Sequence, residues 1–213
     1  MGRWIHATAA ASLLFLAGAG AHAFDKRDIK GLGSLTIDAA QGDRIPLANV
    51  EPVPAGLGWG LRAGLEIPNT EAKTFFTQAF AGYKTSYGPL GHVGEFFTRA
   101  SPLSNQAYAE LHRWTADLME QYRFAGDFRF GLGATYQFGL RLRCVEIEAG
   151  ACGSAQTTKP ENAWGALAQL SYVISDTFEF GARYTRIDYK TGGQRYDGNT
   201  WGVFMVLGFH LFR

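Results

Sequence analysis

Only two of the 213 residues are cysteine and seven are proline, the formal net charge is +1, and past the N-terminus no run of about 18 apolar residues occurs. Each shortage excludes something. A near-neutral balance takes away the electrostatic footprint of a nucleic-acid binder or of a protein that seeks acidic partners. Two cysteines without a C-x-x-C or Cys/His ligand spacing give no metal-binding pattern, and neither a metal nor a cofactor is expected. The missing apolar run excludes transmembrane helices while leaving open a membrane protein built from alternating strands. What the chain has instead is 27 glycines and 14% aromatic residues, a composition that favours many strands joined by turns.

The clearest pattern lies between Asp127 and Arg143, DFRFGLGATYQFGLRLR. Phe128, Phe130, Leu132, Ala134, Tyr136, Phe138, Leu140 and Leu142 fall on one face, and Arg129, Gly131, Gly133, Thr135, Gln137, Gly139, Arg141 and Arg143 on the other. Period two means a strand. A soluble sandwich strand runs about five or six residues, whereas a tilted strand crossing a bilayer needs roughly nine to eleven. This one is long enough to cross, and its arginines and glycines suit the wet inside of a small barrel.

Residues 1–23 read as a secretory signal. Arg3 opens a short basic start, Ala7 to Ala17 is a small-residue apolar run, and Ala21-His22-Ala23 is an A-x-A site, with cleavage expected after Ala23. Residues 24–56 show no clean pattern, although Leu35 to Asp38 allows a short strand, and this stretch is taken as an N-terminal segment of unknown form. From Leu57 alternation returns over Leu57–Ile67, followed by strands expected near 75–87, 92–100, 107–123, 127–143, 163–173, 178–190 and 200–212. The stretch 107–123 also fits a helical stripe through Tyr108, Leu111, Leu118 and Tyr122, and is assigned to a strand because its neighbours are strands. Connections alternate between short and long, the arrangement of barrels with short periplasmic turns and longer outer loops.

The signal, about eight alternating strands and the closing LGFHLFR together resemble the small eight-stranded outer-membrane barrels of Gram-negative bacteria, of the OmpA transmembrane-domain, OmpX and OmpW kind. The resemblance implies an all-β, antiparallel up-and-down transmembrane barrel over residues 57–213. It also implies a bacterial outer-membrane location, a monomer, lipid and lipopolysaccharide as surroundings, and recognition of the C-terminal strand by the barrel-assembly machinery. No nucleic-acid partner is expected.

In that register Arg62, Glu66, Lys84, Glu95, Arg99, Asp117, Arg129, Glu179 and Arg183 point inward. An eight-stranded barrel is just wide enough for side chains to fill, so these charges should pair across the lumen and close it. A structural, adhesive or surface-interaction role follows. The alternatives are a small-solute or hydrophobic-compound channel, and a lipid-modifying enzyme, because some barrels of this kind act on lipopolysaccharide acyl chains with a histidine and a serine. Of His92, His112 and His210 only His112 is placed for such work, and no serine lies two residues from any of them. No catalytic residue is therefore expected. Export would let Cys144 and Cys152 close a small surface loop, a bridge their spacing permits without requiring.

Overall fold

The computed structural model describes residues 28–40, 57–70, 72–87, 107–146 and 157–212. Its strands are β1 (Lys30–Ala40), β2 (Leu57–Pro68), β3 (Phe75–Tyr87), β4 (Ala107–Phe124), β5 (Phe128–Glu146), β6 (Thr157–Thr158), β7 (Ala163–Ser175), β8 (Phe178–Thr191), β9 (Gln194–Asp197) and β10 (Thr200–His210). Every pairing is antiparallel, running β1–β2–β3–β4–β5–β7–β8–β10, and β10 returns to β1, with Lys30 opposite His210 and Ala40 opposite Thr200. Eight strands thus close an up-and-down barrel without an open edge. The remaining two are short additions, β6 on β5 and β9 on the far end of β8.

Two differences from the sequence reading carry physical reasons. The barrel begins ahead of the expected boundary at Leu57, because Lys30–Ala40 forms β1 and fills the place between β10 and β2. The expected strand at 92–100 lies outside the described residues, and closure does not require it. The stretch that also fits a helical stripe is the strand it was assigned to: β4 pairs along its length with β3 and β5, so ladder hydrogen bonds override the stripe.

The second difference is local and larger in consequence. Between β4 and β5 the register runs Trp114 opposite Phe138 and then His112 opposite Arg141, so Arg113 alone faces both Gly139 and Leu140. Gly139 has φ +61°, and this is a glycine-dependent β-bulge, in which the left-handed residue adds one position to one strand. The extra residue inverts the pleat beyond it. Leu140 and Leu142, expected on the outer face, turn inward and are buried, while Arg141 and Arg143, expected inside, are exposed on the outer surface.

Elsewhere the alternation holds up to a second register shift between Val173 and Ser175, at the end of β7. Leu61, Leu65, Trp114, Leu118, Leu132, Trp164, Leu170, Trp201, Val203 and Leu207 are exposed on the outside, while the residues between them are largely enclosed. Inside, Leu32, Phe80, Phe204 and Val206 form an apolar cluster among polar neighbours. The exterior is thus more apolar than the interior, the reverse of a soluble barrel.

Candidate functional site

Seven of the nine charges expected to point inward are buried on the inner face: Arg62 and Glu66 on β2, Lys84 on β3, Asp117 on β4, Arg129 on β5, Glu179 and Arg183 on β8. They are arranged in tiers. Nearest the short turns, the Arg129 Nη1 donates to Glu66 Oε2 at 2.7 Å and to Glu179 Oε2 at 3.1 Å. Gln78 Nε2 donates to the same Glu66 oxygen at 2.8 Å, and Gln121 Nε2 to Gln78 Oε1 at 3.0 Å. A small cleft beside this tier is lined by Glu66, Arg129 and Glu179 together with Lys30 and Asp176.

In the middle tier one carboxylate serves two cations. Arg62 and Arg183 each donate through Nη1 to Asp117 Oδ2 at 2.9 Å, and the Thr135 hydroxyl donates to Asp117 Oδ1 at 2.6 Å. These bonds join β2, β4, β5 and β8 across the barrel, holding opposite walls together through charge-assisted contacts. Higher still, Lys84 Nζ donates to Asp38 Oδ2 at 2.7 Å, and Arg113 Nη1 to Ser86 Oγ at 3.1 Å. Three of the arginines also lie over inward phenylalanines, with the Arg129 guanidinium carbon 4.3 Å from the Phe76 ring centre, Arg62 4.7 Å from Phe80 and Arg183 5.7 Å from Phe204.

Glycine makes the crossing possible. A Cβ at Gly82, the register partner of Arg62, would collide with the Arg62 stem and the Leu61 carbonyl. Above the Lys84 tier the interior turns apolar, since the bulge brings Leu140 and Leu142 in beside Leu111, Ile187 and Tyr189. The Tyr189 hydroxyl donates to Gln137 beneath this cap. The interior therefore has paired charges below an apolar lid.

Asp38 and Arg113 belong to the network but escaped the sequence reading. Asp38 sits on β1, whose faces carry little contrast; Arg113 follows by parity from its outward neighbour Trp114. Glu95, Arg99, His92, the cleavage site after Ala23 and Cys152 lie outside the described residues, as does the side chain of Cys144.

His112 is on the outer face. Its Nδ1 lies 2.8 Å from the Tyr83 hydroxyl and 3.0 Å from the Thr85 hydroxyl, and its Nε2 is 3.6 Å from a Glu110 carboxylate oxygen. No serine lies two residues from His112 along its strand, whereas a hydroxyl comes from across the ladder, where Thr85 is opposite His112. Thr85 is only 1% exposed, so its hydroxyl is shut away from any substrate and ties β3 to β4.

Two belts of aromatics lie on the part of the outer wall formed by β3 to β10. At the short-turn end Phe75, Tyr122, Phe124, Phe128, Tyr172 and Phe180 follow one another at centroid spacings from 4.8 to 6.4 Å. Towards the other end Tyr83 meets Trp114 at 5.2 Å, Tyr136 meets Trp164 at 4.7 Å and Tyr184 meets Trp201 at 4.6 Å.

No protein-family model matches the chain, and no curated protein matches it in sequence. Among solved structures it is similar to Neisserial surface protein A, at 13% identity with a TM-score of 0.51, covering 85% of this chain and 97% of that one. The chain has the fold of the small outer-membrane barrels. It is also similar to Ail, the attachment invasion locus protein of Yersinia pestis, at 13% identity with a TM-score of 0.45, covering 84% and 99% of the two chains. A de novo designed transmembrane β-barrel is similar at 7% identity with a TM-score of 0.40, covering 84% and 95%.

Proposed function

We propose that this small barrel is exported through its N-terminal signal, inserted in the bacterial outer membrane, and acts as a monomeric surface protein whose role is structural or adhesive. One observation carries the reading: the outward apolar face is bounded at both ends by aromatics and matches a bilayer in height. On β5 that face runs from Phe128 to Phe138. Ten steps of about 3.3 Å, tilted by roughly 35–45°, rise about 25 Å, the height of the apolar band of such barrels. The connections 69–74, 125–127 and 176–177 are short, and 41–56, 88–106 and 147–162 long, so the short turns face the periplasm and the long connections the outside.

In this setting the interior is a bolt rather than a conduit. Charges in so narrow a lumen are stabilised by pairing across it, and among the described residues the apolar lid interrupts the polar interior. Surface activity then falls to the outer connections, and outer-membrane lipid or lipopolysaccharide surrounds the wall. Strand β10, which closes the barrel against β1, is the segment offered to the barrel-assembly machinery. Neisserial surface protein A is by its name a surface protein, which agrees with this reading.

The test is refolding of the chain without residues 1–23 into detergent and lipid vesicles. Migration on detergent gels should shift on heating, and planar-bilayer recordings should show no steady conductance. A chain that remains soluble and monomeric without detergent contradicts the membrane reading. A defined single-channel step that changes ion selectivity in Arg62→Glu contradicts the closed lumen.

A further inference from the structure

The bulge at Gly139 does more than cap the lumen. An unbroken pleat would have carried Arg141 and Arg143 inside and Leu140 and Leu142 out, so one left-handed glycine moves two cations from the interior to the outer wall. Immediately below them lies the upper aromatic belt, with Phe138 opposite Trp114 and Tyr136 opposite Ala116 on β4. Aromatics of this kind sit at the membrane–water interface. Arg141 is the next outward residue beyond Phe138, and Arg143 lies one pleat, roughly 7 Å, further along the strand.

An arginine in the hydrocarbon would be heavily disfavoured, and a wholly solvated one would gain little from its position. These two occupy the narrow level between, where phosphates of lipid headgroups are found. Across the ladder are His112, opposite Arg141, and Glu110, opposite Arg143. The Glu110 carboxylate is directed to His112 at 3.6 Å, and among the described residues neither arginine has a carboxylate within ion-pair distance. The guanidinium fork binds two oxygens of one phosphate, which an ammonium cannot do.

Resting on the outer-membrane reading above, we infer that Arg141 and Arg143 form a membrane-level clamp for the phosphate of an outer-leaflet lipid headgroup, placed there by the Gly139 bulge. The ligand is a phosphorylated lipid held beside β4 and β5, with its acyl chains against Trp114, Phe138 and Leu118. The apolar band anchors the barrel at a depth; the clamp fixes which lipid lies at this side.

The experiment uses the refolded barrel in nanodiscs of phosphatidylcholine containing a minority of either diphosphorylated lipid A or its enzymatically dephosphorylated form. Native mass spectrometry counts the glycolipid retained on the released protein. The unaltered protein should retain the phosphorylated form at least about tenfold better, R141Q/R143Q should lose that preference, and R141K/R143K should fall between, since charge remains but the fork is gone. R195Q, on the β8–β9 hairpin, should behave as the unaltered protein. Equal retention of both glycolipids by the unaltered protein, or an undiminished preference in R141Q/R143Q, overturns the clamp. Heat-modifiable migration is followed in every sample. A correctly folded, bilayer-inserted barrel without preference refutes the clamp alone, whereas failure to insert refutes the membrane reading on which it rests.

Discussion

Asp117 is the carboxylate on which the barrel's interior turns, and its replacement by asparagine gives the sharpest energetic prediction. The side chain is 2% exposed and accepts from Arg62, Arg183 and Thr135. Asparagine keeps the volume, so no cavity contributes. It removes the charge and turns one acceptor into a donor, which faces either the Thr135 hydroxyl or the two guanidinium groups. Breaking a buried pair by deleting one partner costs about 3–5 kcal/mol, because the remaining charge is left uncompensated. Here two cations lose their counter-ion at once, which places the loss towards the upper end, about 4–5 kcal/mol. With a urea slope of about 2 kcal/mol per molar, the unfolding midpoint of the vesicle-inserted barrel should fall by roughly 2 M. Adding R183M to D117N removes one of the stranded cations and should recover part of the loss. The double-mutant cycle therefore has a coupling of the opposite sign to the single effects. A midpoint within the error of the unaltered protein, or a D117N barrel more stable than it, refutes the pairing argument.

Further expectations follow from single positions. Gly139→Val forces a β-branched residue into φ +61°, at a cost of about 1–2 kcal/mol or a shift of register, visible as a lower unfolding midpoint or altered protease protection of β5. Burial pushes the phenol of Tyr196, on β9 beyond the apolar band, up to about 12. The folded chain then holds this proton where the unfolded chain has released it. Stability should be fully present below about pH 10 and decline between about 10 and 12, and Tyr196→Phe should flatten that decline. Cys144 and Cys152 should be joined in protein taken from the cell envelope; two free thiols by mass spectrometry would rule the bridge out.

Much of the architecture was legible because the bilayer reverses the usual contrast and repeats it strand after strand. Leu57–Ile67, Ala163–Val173 and Thr200–Leu211 each show apolar residues at alternate positions against glycine and charge, and those faces are the outer ones in the structure. β1 was less legible for a physical reason. In KGLGSLTIDAA both faces mix small and apolar residues, with Leu32 inside and Leu35 and Ile37 outside, so parity leaves no contrast. The bulge was hidden more deeply. In the sequence Gly139 is one of several glycines on the polar face of the pattern, and Leu140 and Leu142 suit an apolar lid as well as they suit lipid, so the alternation passes across the inversion unmarked. Only the pairing with β4, where one residue faces two, reveals it. The ion network was half legible: parity put seven of its charges inside, but not which carboxylate meets which arginine, since that depends on barrel closure.

The most direct test of the barrel and its bulge is a nitroxide accessibility scan of residues 130–143 in lipid vesicles, on a background with Cys144 and Cys152 replaced by serine. Labels at 130, 132, 134, 136 and 138 should be open to oxygen dissolved in the bilayer and their odd neighbours shielded. The phase should then invert across Gly139, leaving 141 and 143 accessible near the headgroups and 140 and 142 shielded. An uninterrupted even-numbered phase through 142 would contradict the bulge, and even-numbered sites open to a water-soluble relaxant instead of oxygen would contradict the membrane barrel itself.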